Sequence, residues 1–148
     1  MPGDYDELFR AFARIVEAGE GFPHRPPLTW EEFEHDWLTH ATAVVVLGVE
    51  DRLAGAYYLK PNFAGRAAHI ANAGYFVAAE HRGRGLGRAM VEHSIDEARR
   101  LGFDAVQFNL VFETNPARRL YEDLGWRVTG RVPEAVDGRD ALIYWRAV

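Results

Sequence analysis

Cysteine is absent from these 148 residues, which excludes disulfides, a thiolate nucleophile and cysteine-ligated zinc, and leaves nothing that calls for an oxidising compartment. Lysine occurs once, at Lys60. Long apolar runs are also missing: the longest nearly uninterrupted one, residues 41–49, falls far short of the roughly 20 residues that span a bilayer. The N-terminus lacks the positive region of a signal peptide and carries Asp4, Asp6 and Glu7 in its place. Together these absences lead us to expect a cytoplasmic protein with no membrane partner. A formal net charge of −5 repels polyanions, so nucleic acid is not an expected partner either. His24, His35, His40, His69 and His93 show no metal-ligand spacing; we read them as surface or core residues and expect no metal.

What is present is a chain 48% hydrophobic, enough for a real core and read as one domain over residues 1–148. Asp4 with Glu7 has capping-box spacing, and Tyr5, Leu8, Phe9, Phe12 and Val16 recur at helical intervals, predicting a helix to about Ala18. Thr29 with Glu32 repeats the pattern and opens a short helix carrying Phe33 and Trp37. Two β-branched and aromatic runs separated by Glu50 and Asp51 predict a hairpin, and residues 67–78 a longer strand. A helix from about Leu86 to Gly102, the strand DAVQFNLVF, a short helix from Asn115-Pro116 to Gly125, and two strands joined at Asp137-Gly138 complete the order. The expected class is α/β with a mixed sheet.

Residues 80–90 read EHRGRGLGRAM. Strand, glycine-rich turn and helix in succession aim backbone N–H groups at one point, where the helix dipole also favours negative charge. Phosphate is the natural occupant. A P-loop is ruled out because Lys60 lies elsewhere. A dinucleotide fingerprint fits poorly, since its last glycine would fall at Arg88 or Met90, and Asp104 begins the next strand instead of ending it. A third pattern, R/Q-x-x-G-x-G/A, is matched at every position by Arg82-Gly83-Arg84-Gly85-Leu86-Gly87. Glycines there let the backbone approach a diphosphate, and Arg82, Arg84 and Arg88 can add charge-assisted bonds.

With this loop, and with NPARRLYEDLGW downstream, the chain resembles the GCN5-related N-acetyltransferases over nearly its whole length. The resemblance implies a mostly antiparallel sheet with one splayed parallel strand pair, flanked by helices, and acetyl-CoA as cosubstrate. Gly74, inside the strand expected over 67–78, marks a bulge or a close backbone approach, and the resemblance implies the bulge, in the strand before the loop. By the same resemblance, the backbone of Tyr75, Phe76 and Val77 would line the acyl group, Asn115 would touch the coenzyme arm, and homodimers would be common. HIANAGYFV and FNLVFETN are further similar to the fungal acetyltransferases of proline analogues such as azetidine-2-carboxylate. That likeness implies a substrate and catalytic role for Asn72 and Asn109; it spans Tyr57 to Arg131 and does not reach residues 21–40.

Direct acetyl transfer to an amine requires no metal and no covalent enzyme intermediate. Tyr121 stands where many members of that family hold a general acid, and packing on the helix stripe is the equal alternative. No residue is assigned as base; Glu80, His81 and Glu113 have no compelling spacing, and water ordered by Asn72 and Asn109 would suffice. The expected function is acetyl-CoA-dependent N-acetylation of a small-molecule amine. A non-catalytic acyl-CoA-binding module and an enzyme acting on a protein or peptide amine remain open.

Overall fold

The computed structural model describes residues 5–148. Asp4, the first half of the expected capping box, lies outside them; Glu7 uses its carboxylate to accept the Leu53 N–H at 3.0 Å. Helix α1 (Asp6–Ala18) buries Leu8, Ala11, Phe12, Ile15 and Val16 along one stripe and ends where Gly19 takes a left-handed conformation. The capping box at Thr29 and Glu32 forms as expected and opens α2 (Trp30–Phe33), which continues as a π-type turn through Glu34–Thr39. Among the described residues, no helix is long and apolar enough to cross a membrane.

Six strands follow: β1 (Ala43–Val49), β2 (Arg52–Pro61), β3 (Ile70–Val77), β4 (Ala105–Phe112), β5 (Arg127–Val136) and β6 (Arg139–Ala147). They form one sheet in the order β1-β2-β3-β4-β6-β5. Every neighbouring pair is antiparallel except β3 with β4. Helix α3 (Leu86–Arg100) connects these two, and α4 (Arg118–Asp123) follows β4. Both expected hairpin turns exist, with Glu50, Asp51, Asp137 and Gly138 all at positive φ, the geometry that matches strand twist.

The sheet is covered on both faces. Tyr57 and Leu59 of β2 join Val91, Ile95, Val106 and Leu142 in one cluster, whereas Ala56 and Tyr58 of the same strand pack with Phe12, Phe33 and Trp37 in the other. Burial on both sides explains why β2 reads as a continuous apolar run instead of an alternating one.

Three expectations need correction. The strand expected over 67–78 begins at Ile70, because residues 65–67 form a 3-10 turn. The last helix begins at Arg118, after a turn that Asn115 caps by accepting the Ala117 N–H at 2.8 Å. Most important, β3 has no bulge at Gly74: its pairing with β2 is continuous from Val77 to Ala71. The bulge lies on β4, where Asn109 and Leu110 fall between Phe108, opposite Tyr144, and Val111, opposite Leu142. Gly74 has another cause. The ring of its cross-strand partner Tyr58 lies over it, and a Cβ there would sit 2.7 Å from a ring carbon.

Gly74→Ala is therefore expected to cost about 1–3 kcal/mol in urea unfolding through overpacking. In a Tyr58→Ala background the same change should cost nothing, since alanine in a strand interior otherwise gains roughly 0.5–1 kcal/mol over glycine.

Candidate functional site

The parallel pair is short. β3 and β4 register only at Ile70–Ala105, Ala71–Val106 and Asn72–Gln107, and beyond these the strands part. The bulge at Asn109 and Leu110 bends β4 away where the pairing stops. Asn72 marks the fork: its Nδ2 donates to the Gln107 carbonyl oxygen at 3.1 Å, and its Oδ1 accepts the Tyr58 hydroxyl at 3.4 Å. From Ala73 to Val77, β3 has no backbone partner in β4; a polar main-chain edge so exposed calls for other partners. The Val77 carbonyl oxygen finds one in Arg82 Nε at 3.2 Å.

Two clefts meet at this opening. The first, about 460 Å³, is lined by Tyr75, Phe76 and Val77 of β3, Arg82 and Gly87 of the glycine turn, and Asn115 and Tyr121. The second, about 250 Å³, is lined by Asn72 and Asn109 together with His24, Asp36 and Tyr58. Gly21, Phe22, Tyr75, Asn115 and Tyr121 belong to the walls of both.

At the first cleft, the turn holds Gly83 at φ 78° and Gly85 at φ 77°, and Gly85 caps α3. Positive φ demands glycine at these two positions; a Cβ at either would meet no other group within 4 Å. The backbone N–H groups of residues 83–88 donate to no backbone carbonyl among the described residues, and the first ordinary helical bond comes from Ala89 to Gly85. A row of free N–H groups at the start of a 15-residue helix is geometry that suits an anion. The arginines are differently placed. Arg82 pairs with Glu20 at 2.5 Å and lines the cleft. Arg88, expected beside the phosphates, pairs along the helix with Glu92 at 2.8 Å. Gly83, Arg84, Gly85, Leu86 and Arg88 lie outside the cleft walls, on or just after the turn between Arg82 and Gly87.

Tyr121 is buried among Phe108, Trp126 and Tyr144, with its ring centroid 4.6 Å from that of Phe108. Burial, with the neighbouring Tyr144, pushes its phenol up to about 12. Among the described residues its hydroxyl makes no hydrogen bond, so it keeps a proton and has none of its donor capacity committed. The Tyr75 hydroxyl, by contrast, is tied to Ser94 Oγ at 2.7 Å.

Asn109 meets a partner that the sequence had not suggested. Its amide and that of Asn62 exchange two hydrogen bonds, at 3.1 and 2.6 Å. Nor did the sequence single out the cluster at the far wall of the second cleft. There His24 Nε2 lies 2.5 Å from Asp36 Oδ2, His35 Nδ1 lies 2.9 Å from Oδ1, and Lys60 Nζ donates to the Asp36 carbonyl oxygen at 2.9 Å. Burial alone would raise the Asp36 carboxyl, but hydrogen bonds from His24 and His35, with the positive charge of Lys60 nearby, hold it below the usual carboxylate range. Among the described residues, no group of three or more His, Asp or Glu side chains is gathered for a metal ion.

Known proteins share this architecture. N-acetyltransferase aca1 of Schizosaccharomyces pombe is 32% identical over 137 residues, 81% of this chain and 66% of that protein. The chain thus spans just under two thirds of that relative's length. A GCN5-related N-acetyltransferase from Kribbella flavida is 36% identical and superposes with a TM-score of 0.87, covering 100% of this chain and 94% of the other. A phosphinothricin acetyltransferase from Sinorhizobium meliloti, solved in complex with AcCoA, shares the fold at a TM-score of 0.83 and 18% identity, over 100% and 85% of the two chains. The description "Acetyltransferase (GNAT) family" matches residues 5–126. With that span including the fork, the glycine turn and Tyr121, the chain belongs to the GNAT family of acetyltransferases.

Proposed function

We propose that residues 1–148 form a single acetyltransferase domain that passes an acetyl group from acetyl-CoA to the amine of a small molecule, by direct attack with both substrates bound. The observation that carries this reading is the pair of clefts joined at the strand fork, with Tyr121 and Asn115 in the wall of each. One cleft ends at an anion-binding helix N-terminus, as a diphosphate carrier requires; the other is small and lined by amides, a carboxylate and aromatic rings. An S. pombe relative named as an N-acetyltransferase and a fold neighbour solved with AcCoA support the same reading. The likeness of HIANAGYFV and FNLVFETN to the proline-analogue acetyltransferases directs the choice of acceptor toward amino and imino acids.

In this reading, the N–H groups of residues 83–88 hold the diphosphate, with Arg82 leaving Glu20 to join them. The unpaired edge of β3 at Tyr75–Val77 receives the pantetheine amides and donates to the thioester carbonyl oxygen, stabilising the charge that develops there. Asn72 and Asn109 position the acceptor. Tyr121, protonated throughout the physiological range, donates toward the departing sulfur; a phenol raised to about 12 cannot serve as the base. The decisive experiment supplies acetyl-CoA with amines of several classes and follows free thiol. Coenzyme binding without thiol release from any amine would identify a non-catalytic binding module instead.

Gly87→Glu places a carboxylate at the α3 N-terminus at a position where a Cβ meets only a methyl group of Val77, 3.8 Å away. Coenzyme A affinity is expected to fall at least about 100-fold by calorimetry, from repulsion of phosphate at a site built for it, with the thermal midpoint little changed. Retained affinity would place the diphosphate elsewhere.

Tyr121→Phe should lower kcat about 100-fold, the usual contribution of a positioned acid. Because no hydrogen bond within the protein is lost, thermal stability should stay near wild type. A variant with normal kcat would leave Tyr121 a packing role only.

A further inference from the structure

An acceptor that arrives as an ammonium must shed a proton before it can attack, and Tyr121 cannot take it. Asp36 is the one carboxylate in the walls of the second cleft among the described residues, and its oxygens are held from two sides by His24 and His35, at 2.5 and 2.9 Å. An ionised carboxylate only accepts hydrogen bonds, so the His24 Nε2 carries the hydrogen and, in the neutral ring, the lone pair is on Nδ1. That tautomer is assigned from the hydrogen bond. Nδ1 is buried and has no hydrogen-bond partner among the described residues, although buried polar atoms are ordinarily paired. The other titratable groups on this side are His35, Lys60, whose Nζ donates to the Asp36 carbonyl oxygen, and Tyr58, whose ring lies 4.6 Å from that Nζ. From α1, the Phe12 ring lies 5.4 Å from the His24 ring, and Val16 and the titratable Glu17 line a neighbouring cavity together with His24. His24 thus lines the acceptor cleft as an imidazole with one nitrogen fixed by a carboxylate and the other lacking a donor.

We propose, on the acetyl-transfer reading above, that His24 is the general base for the acceptor amine and that Asp36 is the positioning residue that holds it in the accepting tautomer. Nδ1 takes one proton from the ammonium, and the resulting imidazolium is stabilised against Asp36, the division of labour of a histidine–carboxylate pair. The freed amine nitrogen bonds to the acyl carbon as the carbon–sulfur bond breaks. Tyr121 hands its proton to the sulfur and recovers one from the nitrogen, and His24 releases its own to solvent. Ammonium and thioester thereby become amide, thiol and one proton.

The test measures thiol release from acetyl-CoA with azetidine-2-carboxylate, L-proline and L-methionine, from about pH 6 to about pH 10, for wild type, His24→Gln and Asp36→Asn. For the best acceptor, His24→Gln should lower kcat/KM about 100-fold near neutral pH, and the deficit should narrow as pH rises and bulk solution supplies the neutral amine. Asp36→Asn should show the same pH signature, because an amide no longer fixes the tautomer. Coenzyme A affinity should remain that of wild type in both. A deficit equal at every pH, or none, overturns the base assignment while leaving acetyl transfer intact. No thiol release by wild type with any of the three, nor with any amine of the wider panel above, overturns the transfer reading and the base with it. Should His24→Gln fail to fold, the pH signature of Asp36→Asn decides.

Discussion

The whole site depends on two parallel strands that stay together for three residue pairs and then separate. Parallel strands inside a sheet normally pair each other's main-chain groups; here the separation leaves one edge of β3 without partners in β4 and so opens a slot with a polar main-chain edge within the sheet. The bulge at Asn109 and Leu110 absorbs the bend, and the Asn72 side chain satisfies the Gln107 carbonyl oxygen at the fork. Aromatic packing holds β4 in this position: Phe108 lies between Tyr121 and Trp126, and the Trp126 indole donates to the Val106 carbonyl oxygen at 3.1 Å.

Electrostatics are local at each end of the slot. The molecule carries a net charge of −5, yet the α3 N-terminus presents free N–H groups whose attraction for an anion needs no net positive charge. Two of the arginines around it are already engaged, Arg82 with Glu20 and Arg88 with Glu92. Exposed pairs of this kind contribute little stability, so an incoming phosphate can compete for Arg82 at small cost. At the opposite end, the Asp36 cluster keeps a carboxylate ionised in partly buried surroundings, a favourable place for a cation.

Much of the element order was legible because the signals are short-range. The Thr29–Glu32 capping box, the paired positive-φ residues at both hairpins, and Gly102 and Gly125 after their helices are read within a few positions. The glycine turn was legible for the same reason, although the glycines at 83 and 85 are required by φ and the Arg88 guanidinium turns to its own helix. Gly74 shows where such reading stops. A glycine inside a strand signals a bulge or a close approach, and only the position of the Tyr58 ring decides between them.

The amino-acid sequence by itself determined the elements, their order and the glycine-rich turn before α3, because caps, turns and apolar periodicity act between residues only a few positions apart. Tertiary structure alone decided the Asn62–Asn109 amide pair, 47 positions apart, and the contact of His24 with Asp36, 12 apart. It also decided which strand carries the bulge. These depend on how the segment after α1 and the loop before β3 fold back over the sheet, and no local preference of the backbone encodes that approach.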